Sequence, residues 1–180
     1  ENYGRLVASS EVGMEIALEV KELSDEQSFP AVSFTLRRGE VLGVAGLVGS
    51  GRTELFESVF GLRPYVQGTV TVDGALVTGS SPRDRMNAGI AYVPEDRKRL
   101  GLVLPQPLSF NLTLAALKRV SRWGVRIPAR IENLYEEWRE QLGIRATSGA
   151  QVAETLSGGN QQKVLLAKWL ARNPKVLILN

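Results

Sequence analysis

The sequence predicts an α/β fold in which a mixed sheet carries an antiparallel β edge and a helical subdomain. Three observations lead there. An apolar run, Glu40 to Ala45, feeds straight into a glycine loop, Gly46 to Gly51, and the residues that follow have helical spacing: strand, loop and helix in succession. Short β-branched runs on either side end in turn residues, the mark of antiparallel pairs. Beyond residue 105 the texture becomes helical, and strands separated by helices imply a partly parallel sheet.

Taken in order, residues 1–14 (ENYGRLVASSEVGM) hold no sustained periodicity and read as a linker or extended lead-in, leaving 15–180 as one domain. Glu15 to Val20 and Ala31 to Leu36 read as strands, with Arg38-Gly39-Glu40 as the turn that follows. Thr53 to Phe60 places Leu55, Phe56, Val59 and Phe60 at helical spacing. Asp73-Gly74 between two β-prone runs signals a tight hairpin over Gly68 to Val77, and Ile90 to Pro94 is a short strand ended by proline. A helical insert spans about 104–152. In it, Asn111 to Val120 and Ala129 to Leu142 form helices, the second with Ile131, Leu134, Trp138 and Leu142 on one face and Gly143 as its stop. Gln161 to Arg172 reads as a helix burying Val164, Leu165, Ala167 and Leu170, and Pro174 to Asn180 as a buried strand. The first residue is Glu1, and the last strand stops as it ends, so the chain reads as a C-terminally incomplete fragment.

Composition narrows the chemistry. At 180 residues and 43% hydrophobic, one domain with a sizeable core is expected. Lys and Arg total 22 against 19 Asp and Glu, a formal charge of only +3, and without a clustered basic stripe nucleic-acid binding is not expected. There is no Cys and no His, which removes disulfides, thiolate metal sites and the commonest general base. Chemistry must use carboxylates, hydroxyls, amides, backbone and cations. No apolar run is long enough to span a bilayer and no signal-peptide pattern opens the chain, so a cytoplasmic protein is expected.

Two glycine-rich helix starts carry the functional reading. In Gly46-Leu47-Val48-Gly49-Ser50-Gly51-Arg52-Thr53 the glycines let successive amides turn inward on an anion, and the helix behind adds its unpaired N-terminal N–H groups. Thr53 would offer its hydroxyl to Mg²⁺. Arg52 stands where Lys is usual in such loops; its planar fork keeps the charge but not the compact shape. Two alternatives stay open: a glycine turn serving packing alone, and an Arg52 paired with a surface acid. The second start is Leu156-Ser157-Gly158-Gly159-Asn160-Gln161-Gln162-Lys163, where Ser157 could cap the helix while the glycine amides approach an anion, or form only a capped turn.

LSGGNQQK resembles the signature motif of ATP-binding cassette (ABC) ATPases, and it lies between a phosphate loop and a terminal strand in that family's order. GSGRTEL and VPEDRK (93–98) further resemble the second nucleotide-binding domain of tandem ATPases that power ribose, galactose and xylose importers, a subfamily in which that loop commonly carries Arg. The resemblance covers nearly all of 15–180. It implies a P-loop NTPase fold ending at the strand that bears the family's Mg²⁺-supporting Asp. It implies ATP and Mg²⁺ as cofactors, with Gly46 to Thr53 around the phosphates and Ser157 to Gln161 reaching across a head-to-tail pair to the other domain's ATP. Glu95 falls where the family has a Gln that touches Mg²⁺ and relays nucleotide state, and Asn180 where it has the Asp. A Glu95 ion pair with Arg97 or Lys98, and an Asn180 that is merely a strand end, are the alternatives.

The function implied is a nucleotide-binding domain that couples ATP binding and hydrolysis to monosaccharide uptake, weakly catalytic at its own site because Arg52, Glu95 and Asn180 depart from the general pattern. The fragment alone is expected to be inactive. The partners implied are a second ABC ATPase domain, membrane permease subunits and, indirectly, a periplasmic sugar-binding protein, with the chain peripheral on the inner face of the plasma membrane. Two rivals remain: a binding-only domain that completes its partner's site, and a soluble ABC ATPase outside transport, which the GRTEL and EDRK runs disfavour. Phe29 is the nearest aromatic to the family's adenine-stacking position, and core packing is its expected role.

Overall fold

The computed structural model describes residues 13–180, so most of the expected lead-in lies outside the described residues. The chain divides into two compact units, Glu1–Ala91 and Tyr92–Asn180.

The first unit is built on an antiparallel sheet. Its strands are β1 (Ile16–Ser24), β2 (Val32–Arg37), β3 (Gln67–Val72) and β4 (Ala75–Leu76), in the order β2-β1-β3-β4. The pairings β1 with β2, β1 with β3 and β3 with β4 are all antiparallel, as the β-branched runs predict. Asp73 (φ 48°) and Gly74 (φ 76°) both sit in the left-handed region, the conformation a two-residue hairpin turn needs to match strand twist. Leu18, Val20, Val70 and Val72 are buried in this sheet.

Helix α1 (Arg52–Phe60) buries Leu55, Val59 and Phe60. A second helix, α2 (Pro82–Ala88), was not anticipated, although its signal is in the sequence. Ser81 and Asp84 form a reciprocal capping box, Pro82 opens the first turn, and Gly89 closes the helix. The apolar run Glu40 to Ala45 does not form the expected strand. An extended run becomes a strand only when a neighbour takes up its backbone hydrogen bonds, and no strand of the first unit's sheet pairs with it. Glu40 is instead buried and accepts the amide of Arg37 at 2.8 Å, closing the turn.

In the second unit, strand β5 (Ile90–Val93), which begins in the first, forms a two-stranded sheet with β8 (Val176–Leu179). Between them lie one π-helical turn (Arg97–Gly101), α3 (Leu108–Thr113), α4 (Leu117–Val120), the hairpin β6 (Ser121–Arg122) and β7 (Val125–Arg126), α5 (Pro128–Gln141), a 3-10 turn (Ala153–Thr155) and α6 (Gly158–Leu170). The core comprises Leu108, Leu112, Val120, Leu134, Tyr135, Val164 and Leu165, where α3 packs on α5 and α6.

The single helix expected over Asn111 to Val120 is two short helices. Thr113 spends its hydroxyl on the carbonyls of Ser109 (2.9 Å) and Phe110 (3.0 Å), a back-bond that bends or ends helices. Fully buried Asn111 accepts from the Val103 amide (2.7 Å) and donates to the carbonyls of Val103 (3.0 Å), Gln106 (3.3 Å) and Pro107 (3.1 Å), tying the preceding loop to α3. On α5 the buried face centres on Leu134 and Tyr135 rather than on the Trp138 stripe, and Gly143 (φ 57°) ends the helix as expected. On α6, Trp169 is buried where Leu170 was expected.

Candidate functional site

In the glycine loop Gly49 and Gly51 both stand at φ 81°, and the Ser50 amide turns back to the Leu47 carbonyl at 3.1 Å. The crest is open: Leu47 is 85% and Val48 100% exposed. Inside it, the Ser50 hydroxyl is buried without a hydrogen-bond partner. A Cβ placed on Gly46 would lie 2.5 Å from that hydroxyl and 3.4 Å from Cδ of Arg52, so the loop closes on itself with Arg52 folded along it. An orphaned hydroxyl beside a cation and the first turn of a helix suits an anionic oxygen. Gly51 is the N-cap of α1 and no side chain caps that helix. Arg52 makes no ion pair among the described residues, so the alternative of a surface acid is not what the structure shows.

Beneath the loop lies a feature the sequence reading missed. The Asp25 carboxylate accepts the amides of Gln27 (3.1 Å), Ser28 (2.7 Å) and Phe29 (3.1 Å), winding residues 25–29 into a turn. Desolvation pushes the Asp25 pKa up, but the Ser28 amide and hydroxyl, with the Phe29 and Gln27 amides, outweigh it and bring it to about 2. A Cβ on Gly51 would meet the Ser28 carbonyl oxygen at 2.3 Å and Phe29 Cβ at 2.8 Å, so this turn seats directly against the start of α1. Phe29 is 4% exposed, a packed residue as expected. An Asp followed by small polar residues is the only sequence sign of such a turn.

The LSGGNQQ segment begins α6 in the second unit. Ser157 occupies the N-cap position, but its side chain does not cap, which corrects the expectation. Its hydroxyl accepts from Asn160 Nδ2 at 3.0 Å, and Asn160 Oδ1 takes the Arg145 amide at 2.9 Å. Ser157 is therefore held from the side while remaining exposed. Gln161, 5% exposed, donates to the carbonyls of Ala153 and Leu156 (both 3.2 Å), fixing the approach to the helix. Its Oε1 accepts from Arg97 Nε at 3.3 Å, and a Cβ on Gly158 would stand 2.8 Å from Arg97 Nη2. Arg97, read from the sequence only as an alternative ion-pair partner of Glu95, thus lies over the first residue of α6. A separation of 64 residues hid this.

Glu95 is exposed on the turn after β5 and forms no ion pair with Arg97 or Lys98; Arg97 is turned toward Gln161 instead. Its neighbour Asp96 caps the π-helical turn, accepting the amides of Lys98 and Arg99 (both 3.0 Å). Asn180 donates to the Tyr92 hydroxyl at 2.9 Å, and its amide bonds the Val93 carbonyl at 3.0 Å, so it continues the edge between β8 and β5. Among the described residues no cluster of Asp and Glu could hold a metal ion by protein ligands alone. A Mg²⁺ here would need phosphate oxygens beside one or two side-chain oxygens, the arrangement that ion favours.

Two glycine-rich helix starts, one beside a cation-bearing loop and one under an arginine, set the comparison with known proteins. Residues 29–180 match the family described as ABC transporter. The chain belongs to that family. The ABC assignment also holds at the level of fold. A cassette protein captured as a dimer in a post-hydrolysis state with ADP and Pi superposes with a TM-score of 0.74 at 18% identity, over 90% of this chain and 72% of that one. A nucleotide-free cassette gives 0.74 at 19% identity, over 91% and 68%. Among curated ABC relatives, ribose import ATP-binding protein RbsA 2 of Rhizobium johnstonii is 47% identical over 91% of this chain and 32% of its own length. The RbsA of Shouchella clausii is 44% identical over 92% and 33%, and a putative ribose/galactose/methyl galactoside import ATP-binding protein 2 of Burkholderia cenocepacia 45% over 93% and 33%. The chain spans about one third of the length of these relatives.

Proposed function

We propose that this ABC domain binds Mg·ATP and, within a longer importer ATPase, couples ATP binding and hydrolysis to monosaccharide uptake. The observation that carries the reading is the phosphate loop itself: positive-φ glycines, an orphaned Ser50 hydroxyl and Arg52 at the uncapped start of α1. Support for a sugar cargo comes from relatives named as ribose import ATP-binding proteins.

In this reading Gly46 to Thr53 hold the nucleotide's phosphates through amides, the Arg52 guanidinium and the Ser50 hydroxyl. Thr53 and Glu95 would supply oxygens to Mg²⁺, which neutralises phosphate charge when bound. Ser157, Gly158, Gly159, Asn160 and Gln161 serve a second ABC ATPase domain's ATP, with Arg97 adding positive charge at that helix start. Asn180, an amide where the family has an Asp, would contribute no charge. The domain covers 15–180, with a helical insert at about 104–152, and it works on the inner membrane face through permease subunits and, at one remove, a periplasmic sugar-binding protein. A binding-only role at this domain's own site is favoured by Arg52, Glu95 and Asn180 together, since each alters charge or shape where phosphoryl chemistry is sensitive to both.

Calorimetric titration with Mg·ATP, with Arg52→Ala as control, tests the first half. Binding that weakens at least tenfold in the control supports it; equal affinity removes Arg52 from the site. In the full-length importer, Ser157→Arg should abolish transport while this domain's own nucleotide affinity is kept. Normal transport by that variant would sink the cross-domain role.

A further inference from the structure

The overall charge of +3 conceals an uneven distribution. Between Asp96 and Glu132 every charged residue is Lys or Arg. In the middle of this stretch the β6–β7 hairpin turns through Trp123 (φ 54°) and Gly124 (φ 79°), and every residue from Arg122 to Arg126 is exposed. Trp123 at the tip is 91% exposed, and Val125 (68%) and Leu117 (44%) stand beside it. The nearby cations fall into two sets. Arg119 pairs with Glu137 at 3.4 Å, and Arg130 donates to the Ser121 carbonyl at 3.4 Å. Lys118, Arg122 and Arg126 have no acidic partner among the described residues. A mostly apolar cleft lined by Phe110, Leu114 and Leu117 opens behind the tip.

Exposed indole, flanking aliphatics and unpaired cations on one protruding tip form the combination that binds at a lipid–water boundary. Trp prefers the headgroup level, Arg and Lys stems lie along apolar surface while their charges reach phosphate, and an anionic leaflet attracts basic segments. A nucleic-acid contact would not use Val125 and Leu117, and a helical protein partner would call for anchors in a groove rather than an apolar apex. We propose that the hairpin Ser121–Arg126 docks on anionic phospholipid, with Trp123 entering the headgroup region and Lys118, Arg122 and Arg126 on lipid phosphates. This contact is direct and separate from any made through a permease.

The test is flotation of the full chain with vesicles of phosphatidylcholine, with and without phosphatidylglycerol, needing neither nucleotide nor permease, so it stands apart from the importer reading. Flotation is expected only with phosphatidylglycerol, falling about fivefold for each cation removed, since each contributes on the order of 1 kcal/mol. The double variant R122E/R126E and W123A should stay in solution with unchanged Tm. Brominated phosphatidylglycerol should quench the emission of the unmodified chain, a readout that survives if W123A folds poorly. No flotation, or flotation and quenching unchanged in both variants, overturns the proposal. So does duplex DNA or polyglutamate displacing the vesicles with no dependence on Trp123, which would make the tip a general polyanion or acidic-protein site.

Discussion

Gly49 and Gly51 share one backbone conformation in two different surroundings, and replacing each by Ala separates conformational strain from steric overlap. Both lie at φ 81°. An L-residue there costs about 1–2 kcal/mol, of which about 0.4–1 kcal/mol is regained because Ala stiffens the unfolded chain. At Gly49 nothing lies within 4 Å of the added methyl, so strain is the whole effect and Gly49→Ala should cost about 1 kcal/mol. At Gly51 the methyl meets the Ser28 carbonyl oxygen at 2.3 Å. That oxygen is main chain in a turn held by Asp25, so it cannot swing aside as a side chain would. Overpacking of this kind adds about 1–3 kcal/mol, for about 2–4 kcal/mol in all. At about 2–4 °C per kcal/mol for a chain this long, thermal unfolding should fall about 2–4 °C for Gly49→Ala and about 4–16 °C for Gly51→Ala. Urea titration at constant m would confirm that stability, not cooperativity, has changed. Equal losses in the two variants would refute the seating of Gly51 on the Asp25 turn.

The same turn predicts a pH effect. Asp25 has a folded pKa of about 2 against an ordinary 3.8, so its stabilisation is complete above the ordinary value and is lost as pH falls through the folded one. Asp25→Asn should therefore flatten the acid limb of an unfolding curve between about pH 4 and pH 2; an unchanged limb would count against the turn. Gln161→Leu strips partners from two carbonyls and from Arg97, and should destabilise by about 1–3 kcal/mol in urea titration. Arg97→Gln in the intact importer should raise KM for ATP about tenfold, the scale of one lost bond to a charged group, with Arg97→Lys recovering part. A Tm loss with unchanged KM would leave Arg97 as a strut alone.

What could be read in advance follows how local each determinant is. The Asp73-Gly74 hairpin, α1, β5 and the Gly143 stop were legible because each is specified within a few residues by turn chemistry or period. Glu40 to Ala45 misled because an apolar run becomes a strand only with a bonding neighbour, which lies elsewhere in the sequence, and here the run stays half-buried to exposed beyond Glu40. The break after Thr113 came from one hydroxyl competing with the backbone, invisible to an apolar period. In the candidate site, glycine spacing announced both helix starts. Their supports did not show: Asp25 beneath Gly51 and Arg97 over Gly158 are contacts between distant segments whose residue types are ordinary at a surface. Ser157 stands at the N-cap as read, but its hydroxyl accepts from Asn160 rather than capping the helix.

The glycine loop from Gly46 to Gly51 is mechanically lopsided. Its far end is clamped at Gly51 by a carbonyl that three amide bonds hold still, while Leu47 and Val48 at the crest touch almost nothing. Any change of shape in the loop must therefore fall on the crest, with the helix end serving as anvil. Arg52, the first residue of α1, rides on the fixed side.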